Sequence, residues 1–320
     1  MKKEPTYFEQ AQILTRQRFG NTIQLFAPLY ISNECVDICD YCGFSLTNKI
    51  RRKTLSIDEV LSEALFLKQE GFAHLLLVSG EDPRAVTPNY LADILVHLRP
   101  HFSLLSIEVA PFDTPTYQRL KESGLDRVVI YQETYDREAY ARVHRAGPKK
   151  NYDRRLEAPE RAARAGIRHI GMGILLGLSD WHTEAEALIQ HVRSLQKKYW
   201  QTEFTVSFPR LRPCAGSYHP PTPISDEEYK ELIVRTRIAL PNVGIVLSTR
   251  EAPELRDELI ELGVTQISAG SKTNPGGYTV LEATTEQFEI ADHRSPVEVA
   301  AMIQQKGLEP IWKDWHVGLS

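Results

Sequence analysis

Short runs of apolar and β-branched residues alternate along this chain with longer segments in which apolar residues recur every three or four positions. The short runs are typical of buried strands, and the longer segments are typical of helices that place one face on a core. The pattern predicts eight strands. They lie at residues 22–31, 74–79, 104–109, 127–131, 169–176, 203–208, 244–248 and 265–269.

Capping residues mark where several predicted helices begin. Ser56 is followed three residues later by Glu59, which is the pattern of a capping box, and Gly71 ends that amphipathic segment. Asp113 and Ser225 are N-cap candidates of the same kind. The predicted helices are 12–21 (the end of a short helix), 56–70, 88–99, 114–123, 136–144, 153–165, 183–199, 226–239, 253–262 and 296–306.

Eight strands that alternate with helices over about 250 residues are the repeat of a closed (β/α)8 barrel, the TIM-type fold. We therefore predict a single domain in three parts. Residues 1–21 form an N-terminal helix, 22–270 the barrel and 271–320 a C-terminal helical extension. Barrels of this kind carry their chemistry at the carboxyl ends of the strands, so the residues that follow each strand are the functional candidates.

Composition and charge narrow the class of protein. The chain has 320 residues, of which 42% are hydrophobic and 25% charged, as in globular proteins. Its net charge of −4 gives no reason to expect a nucleic-acid partner. No segment approaches the ~18 uninterrupted apolar residues of a membrane span. The polar start MKKEPTYFEQAQ contains no signal core, and few cysteines fit a reducing compartment, so we expect a cytoplasmic location.

Three cysteines follow the first predicted strand within eight residues: Cys35, Cys39 and Cys42. Three thiolates on one short loop can bind three irons of a 4Fe-4S cluster and leave the fourth iron open to a small-molecule chelate. A zinc site completed by Cys214 or a histidine is the alternative, but structural zinc sites usually use pairs of cysteines two residues apart. We interpret Cys214 as a small buried apolar residue.

Polar residues follow the other strands as well. Gly80 and Glu81 come after the second strand, Glu108 ends the third, and Glu133 follows the fourth. The main chain at Gly80 allows close approach, and its carbonyls can accept bonds from an ammonium group. The carboxylates either bind ribose hydroxyls and an ammonium group or form internal ion pairs. The candidate internal partners are Arg142, Arg154 and Arg155.

The last two strands end in Ser248 and Arg250, and in Ser268. An arginine surrounded by hydroxyl groups is well suited to bind a carboxylate with two hydrogen bonds. The alternative for Arg250 is a salt bridge with Glu251 or Asp257. The basic run 49–53 is interpreted as a solvated loop, with a docking patch for an acidic electron donor as the alternative.

The pattern Cys-x-x-x-Cys-x-aromatic-Cys, with Tyr41 as its aromatic residue, resembles the signature of the radical S-adenosylmethionine (SAM) superfamily. Further motifs resemble the 2-iminoacetate synthase family, the tyrosine lyases of thiamine biosynthesis. They cover most of the chain and are LTRQRFGN (14–21), CDYCGFS (39–45), RRKTL (51–55), IYQETY (130–135), SFPRLRPC (207–214), LSTRE (247–251), SKTNPGGY (271–278) and WKDW (312–315).

The resemblance implies a site and a reaction. Cys35, Cys39 and Cys42 would hold the cluster, and SAM would contact Tyr41, Gly80, Glu81, Glu108, Glu133 and Arg155. L-Tyrosine would contact Tyr30, Ser248, Arg250 and Ser268, with Arg250 and Ser248 in the catalytic set. The implied products are 2-iminoacetate and p-cresol. The implied partners are a flavodoxin- or ferredoxin-type electron donor and the thiazole synthase subunit.

Three alternatives stay open. The first is a related lyase that acts on tryptophan. The second is the tyrosine lyase of hydrogenase maturation, which carries extra C-terminal cysteines, whereas no cysteine follows Cys214 here. The third is a zinc-stabilised subunit without catalysis. The family usually has a longer region before Leu14, which leaves open a truncated chain or a missing outer helix.

Overall fold

The computed structural model describes residues 5–279 and 284–312. Within these residues, the strands are β1 (Thr22–Ser32), β2 (Ile38–Cys39), β3 (His74–Ser79), β4 (Leu104–Glu108), β5 (Arg127–Glu133), β6 (His144–Ala146), β7 (His169–Ile174), β8 (Glu203–Ser207), β9 (Gly244–Leu247), β10 (Gln266–Ser268) and β11 (Glu309–Ile311). Of the predicted C-terminal extension, residues 280–283 and 313–320 lie outside the described part, and these include the last three positions of the WKDW motif.

The barrel is closed by eight parallel strands in the order β1-β3-β4-β5-β7-β8-β9-β10, with β10 paired back to β1. Gln24 pairs with Gln266 of β10, and Ala27 pairs with Leu75 of β3. The predicted (β/α)8 barrel is therefore confirmed. All eight predicted strands are present, with ends that differ from the prediction by at most two residues.

The described helices are α1 (Tyr7–Phe19), α2 (Ile57–Gln69), α3 (Pro88–Leu98), α4 (Thr114–Glu122), α5 (Arg137–Val143), α6 (Tyr152–Leu156), α7 (Ala158–Arg164), α8 (Trp181–Lys198), α9 (Asp226–Ala239), α10 (Pro253–Leu262) and α11 (Pro296–Gln305). Ser56 and Ser225 cap α2 and α9 in full capping boxes, and Asp113 caps α4. These short-range signals are local, which is why the sequence predicted them correctly.

The single helix predicted over residues 153–165 is wrong, because the structure has α6 and α7 there. Pro159 is the second residue of α7. It lacks the N–H that a continuous helix would donate to the carbonyl of Arg155, and its ring crowds that carbonyl. The chain therefore ends one helix at Leu156 and begins the next at Ala158.

Side chains of the barrel strands alternate between two environments. On β1, Leu25 and Leu29 pack in the layer between strands and helices, whereas Phe26 and Tyr30 belong to a separate cluster. Leu76 of β3 belongs to that same second cluster. Because successive strand side chains point to opposite faces, this second set faces the barrel interior. Tyr30, near the carboxyl end of β1, is thereby directed toward the mouth.

Two short ladders were not predicted. β11 pairs in parallel with the first residues of β1, from Thr22 to Gln24. β2 and β6 form an antiparallel pair in which Cys39 is opposite His144. Strands this short have no recognisable periodicity, so pairing with distant residues decides them. No described helix combines the length and apolar character needed to cross a bilayer.

Candidate active site

The predicted site residues converge at the carboxyl end of the barrel, where they line two adjoining cavities. The larger is a cleft of about 1260 Å³, its open mouth included, and the smaller measures about 570 Å³. We call them the polar cleft and the cysteine cavity. The polar cleft is lined by Tyr30, Tyr41, Cys42, Glu108, Glu133, Ser248, Arg250 and Ser268. The cysteine cavity is lined by Cys35, Cys39, Cys42, Gly80, Glu81, Glu108, Glu133 and Arg155.

The three cysteines of the loop are free thiols, with Cys35 and Cys39 buried and Cys42 half-buried. Burial raises the pKa of all three, to about 12 for Cys35. Cys214, interpreted above as a buried apolar residue, is only half-buried, and its Sγ donates to the carbonyl of Tyr41 at 3.3 Å. It therefore packs behind the loop rather than in the cysteine cavity.

Arg52 holds the cysteine loop in shape. Its guanidinium donates to the carbonyls of Asn33 (2.6 Å), Phe44 (3.1 Å) and Ser45 (2.8 Å). Lys53 pairs with Glu59 at 2.6 Å. The interpretation of residues 49–53 as a simple solvated loop is therefore wrong for these two side chains. A basic run in the sequence does not reveal that one member turns inward to satisfy loop carbonyls.

Two glycines allow the loop to lie against its neighbours. A β-carbon on Gly80 would be 2.3 Å from the carbonyl oxygen of Glu34, and one on Gly147 would be 2.1 Å from Asp37 Oδ1. Asp37 Oδ1 accepts a 2.9 Å hydrogen bond from the main-chain N–H of Lys149. The segment after β6 is thus fastened beneath the cysteines.

A group of four nearly buried charges lines the cysteine cavity, and two of its members, Glu133 and Lys149, also line the polar cleft. Lys149 Nζ donates to Glu133 Oε1 at 2.7 Å, and Arg155 Nη1 donates to Glu81 Oε1 at 2.8 Å. The crossed pairs are longer, at 3.6 Å for Lys149 with Glu81 and 3.7 Å for Arg155 with Glu133. Burial by itself would raise the pKa of both carboxyls, but the two cations lower it below the usual range. All four groups therefore stay charged.

The backbone of Glu133 is strained. Among the described non-glycine residues, it alone has a positive φ, of 71°. The ladder between β5 and β7 is irregular between Tyr131 and Glu133. Such conformations cost on the order of 1–3 kcal/mol and cluster at functional sites, where the surroundings hold them in place. Here the unusual backbone conformation directs the side chain of Glu133 toward Lys149 and Arg155 and toward the cleft.

Tyr41 is held by a short chain of hydrogen bonds. Its hydroxyl lies 2.7 Å from His144 Nε2, and His144 Nδ1 lies 2.9 Å from the carbonyl of Tyr140. A carbonyl only accepts, so Nδ1 carries the proton and Nε2 accepts from Tyr41. Burial, with Lys149 and Arg155, lowers the pKa of His144 to about 2, so the ring stays neutral.

The far side of the polar cleft carries Arg250. Its guanidinium carbon lies 3.4 Å from the centroid of the Phe288 ring, and Nη1 donates to the carbonyl of Arg210 at 3.3 Å. The alternative salt bridge for Arg250 is wrong, because Glu251 pairs with Arg210 and Asp257 pairs with Arg294. Opposite this wall, burial raises the pKa of Glu108 to about 7, and Glu133 adds to that increase.

Sequence reasoning missed several residues of this site. Lys149, His144 and Gln287 all line or support it, yet they lie far from the cysteines in the chain. Of the three arginines considered as partners for the glutamates, Arg155 is the one that the structure places in the charged group. No local pattern marks these residues, because their neighbours are brought near only by closure of the barrel.

The donor set of the cysteine cavity fits an iron–sulfur cluster. A single zinc would need its thiolates within about 2.3 Å of one point. The three thiols instead line a cavity that holds more than one atom, which fits an iron–sulfur cube.

The fold and this site together define a barrel enzyme of the radical SAM class. The family model described as "Radical SAM superfamily" matches residues 29–190, and "Biotin and Thiamin Synthesis associated domain" matches residues 207–309. The 2-iminoacetate synthase of Escherichia coli (strain K12) is 46% identical over 308 residues, which are 96% of this chain and 82% of that protein. The chain belongs to the 2-iminoacetate synthase family of radical SAM lyases.

Two solved structures are similar to this chain over most of its length. HydG, a maturase of the [FeFe]-hydrogenase, superposes with a TM-score of 0.94 at 35% identity over 99% of this chain and 72% of that chain. HydG from Carboxydothermus hydrogenoformans has a TM-score of 0.90 at 40% identity, and the match covers 95% of this chain and 71% of that chain. The likeness extends through the barrel and through the described residues after it.

Proposed function

We propose that this chain cleaves the Cα–Cβ bond of L-tyrosine to give 2-iminoacetate and p-cresol, and so supplies a precursor of the thiazole moiety of thiamine. The observation that carries the proposal is the shared wall of the two cavities. Glu108, Glu133 and Cys42 line both, so a group held by the cysteines is next to a molecule in the polar cleft.

Cys35, Cys39 and Cys42 would bind a 4Fe-4S cluster, and the adjoining wall would bind SAM. When bound and reduced by one electron, this pair would supply the radical chemistry for hydrogen abstraction from the amino nitrogen of tyrosine. The carbonyls of Gly80 and Glu81 each accept one internal bond, from Ser79 Oγ and from the N–H of Val36, and each has a second lone pair for an ammonium.

The charged group would orient SAM. Glu133 has the geometry to accept from ribose hydroxyls while Lys149 and Arg155 keep it ionised. Glu81 is held by Arg155, so its side chain organises the wall. Glu108, whose pKa is raised by burial, stands between the cysteine cavity and the cleft and can change protonation near neutral pH.

Arg250 would bind the carboxylate of tyrosine, with Ser248 and Ser268 as neighbouring hydroxyl groups in the same cleft. The guanidinium lies over the Phe288 ring, and this cation–π contact helps to hold it in the cleft. Tyr30 lies in the same cleft and is buried, so it helps to exclude water from the reacting atoms. The amino nitrogen of the substrate must then lie within near-attack distance of the radical carbon.

Product analysis tests the proposal. Protein reconstituted without oxygen is incubated with SAM, a strong reductant and tyrosine, and p-cresol and 2-iminoacetate are measured. We expect both products, and we expect Cys39→Ala to lose SAM cleavage while it keeps the barrel fold by circular dichroism. Cleavage of tryptophan but not tyrosine would support the related lyase that acts on tryptophan. Protein that takes up zinc but no iron or sulfide would support the zinc-stabilised subunit without catalysis.

The electron donor and the thiazole synthase subunit are further parts of the proposal. The cysteine loop has exposed positions, among them Leu46, with 51% of its surface accessible, and it is flanked by the exposed Arg145 and Lys150. Arg145 is already paired with Asp40 at 2.6 Å, so the charge offered to a small acidic one-electron carrier of the flavodoxin or ferredoxin type is that of Lys150. Charge reversal at Lys150 should slow reduction by such a carrier but not by dithionite.

A further inference from the structure

The side chain of Gln287 joins two parts of the site that lie far apart in the sequence. Its Oε1 accepts a 2.8 Å hydrogen bond from the hydroxyl of Tyr30, and its Nε2 donates to Cys42 Sγ at 3.7 Å. Gln287 itself lines both the polar cleft and the cysteine cavity. One amide therefore contacts a residue of the substrate cleft and a cysteine of the cluster loop.

Main-chain bonds fix the position of Gln287 independently of its side chain. Its carbonyl accepts from the N–H of Gly43 at 3.2 Å, and its own N–H donates to the carbonyl of Thr273 at 2.8 Å. A β-carbon on Gly43 would lie 2.3 Å from that carbonyl oxygen, so the two segments are in close contact. The side chain can be changed while these main-chain bonds remain.

The chemistry of the neighbours determines which way the amide points. A thiolate sulfur bound to iron only accepts hydrogen bonds, so it requires the N–H₂ end of the amide. The phenol of Tyr30 is buried and neutral, and its O–H has the amide oxygen as an acceptor. The flipped amide would place oxygen against the negatively charged sulfur. The orientation in the structure is therefore the one that both partners favour.

Resting on the cluster assigned under the proposed function, we propose that Gln287 is a positioning residue that raises the reduction potential of the cluster through an N–H···S hydrogen bond to Cys42. Reduction adds negative charge to the cluster, and a donor to a ligand sulfur stabilises that charge. Tyr30 holds the amide in the donating orientation. The substrate cleft and the cluster are thus connected by one chain of hydrogen bonds.

The test is a redox titration of reconstituted protein, followed by electron paramagnetic resonance in the absence of SAM and tyrosine. Gln287→Leu keeps the size of the side chain but has no donor. We expect the ratio of reduced to oxidised cluster at the wild-type midpoint to fall about tenfold, which is ~59 mV for a one-electron couple. Tyr30→Phe, which keeps the donor but frees the amide, should give a smaller shift in the same direction.

The matched control is Gln190→Leu, at an exposed glutamine on α8 whose Nε2 donates to Glu186 at 2.6 Å. Its potential should equal that of the wild type. If Gln287→Leu binds less iron, Gln287→Asn serves as the second variant, because its shorter amide stays polar but withdraws the N–H from Cys42. An unchanged potential in the variant that binds a full cluster overturns the inference. Wild-type protein that takes up no cluster overturns the proposed function instead.

Discussion

Lys149 Nζ lies 2.7 Å from the carboxylate of Glu133, the residue whose backbone is held at a positive φ of 71°. Both side chains are nearly buried, with exposed fractions of 12% and 10%. A buried ion pair of this kind rarely adds much net stability, but removal of one partner leaves an uncompensated charge. The pair therefore fixes the orientation of Glu133 at the border between the two cavities.

Replacement of this cation should damage both the fold and the site. Lys149→Met leaves Glu133 and Glu81 with Arg155 as their remaining buried cation. We expect the free energy of unfolding of the cluster-free protein to fall by about 3–5 kcal/mol, as measured by chemical denaturation. The matched control is Lys150→Met, because the neighbouring side chain is exposed. Equal stability of the two variants would contradict the role given to the buried pair.

Gly80→Ala should reduce cluster assembly while the barrel remains folded. The added β-carbon would lie 2.3 Å from the Glu34 carbonyl, a main-chain atom, and 3.2 Å from the β-carbon of Cys35. The cysteine loop must then move away from β3. We expect fewer irons bound per chain after reconstitution, with an unchanged far-ultraviolet circular dichroism spectrum. Full iron content with normal SAM cleavage would show that the loop tolerates the shift.

Arg250→Lys should weaken the use of tyrosine while leaving the cluster intact. Lysine cannot form the two parallel bonds that a guanidinium makes with a carboxylate. Loss of one charged hydrogen bond corresponds to a decrease in kcat/KM of about 10- to 100-fold. Arg235→Lys on the outer face of α9, where the side chain is 48% exposed, is the matched control. Tyramine, which lacks the carboxylate, should bind the wild type and Arg250→Lys equally well; a difference would argue against this contact.

Glu108 makes stability depend on pH. Burial raises its pKa from 4.5 to about 7 in the folded protein. The folded chain therefore keeps a proton that the unfolded chain loses, so the stability from Glu108 is complete below pH 4.5 and is lost as pH rises through 7. Glu108→Gln mimics the protonated form.

In the cluster-free protein, the free energy of unfolding of this variant relative to the wild type should increase from pH 5 to pH 8, because only the wild type loses stability as Glu108 ionises. Denaturation curves at both pH values measure the gain. Glu70→Gln, at an exposed residue after α2, should track the wild type at both values. A gain that is the same at pH 5 and pH 8 would exclude titration of Glu108 as its cause.

Most of the fold could be read from local patterns. The strand at residues 74–79 and the helices at 226–239 and 253–262 were predicted with the ends that the structure gives them. Apolar periodicity and capping depend on residues only a few positions apart, so these signals can be recognised in a single sequence. The break between α6 and α7 was missed, although Pro159 is a local signal for it. The ladder of β2 with β6 was missed because each strand has only two or three residues.

The candidate site was predicted only in part, because only some of its residues are marked by short-range patterns in the sequence. The three cysteines lie close together in the chain, and the polar residues at the strand ends follow from the rule for barrels. Lys149, Gln287 and His144 did not stand out, because their partners are 16, 257 and 103 positions away along the chain. A hydrogen bond between such distant residues has no signature in either sequence segment.

The sequence by itself determined the barrel, the loop of three thiols and the family, since each depends on residue types at fixed short spacings. The tertiary structure alone decided which charges are buried together and which amide faces the cysteine sulfur. Burial and pairing are properties of the closed barrel, because desolvation and distance exist only after the strands have been brought side by side.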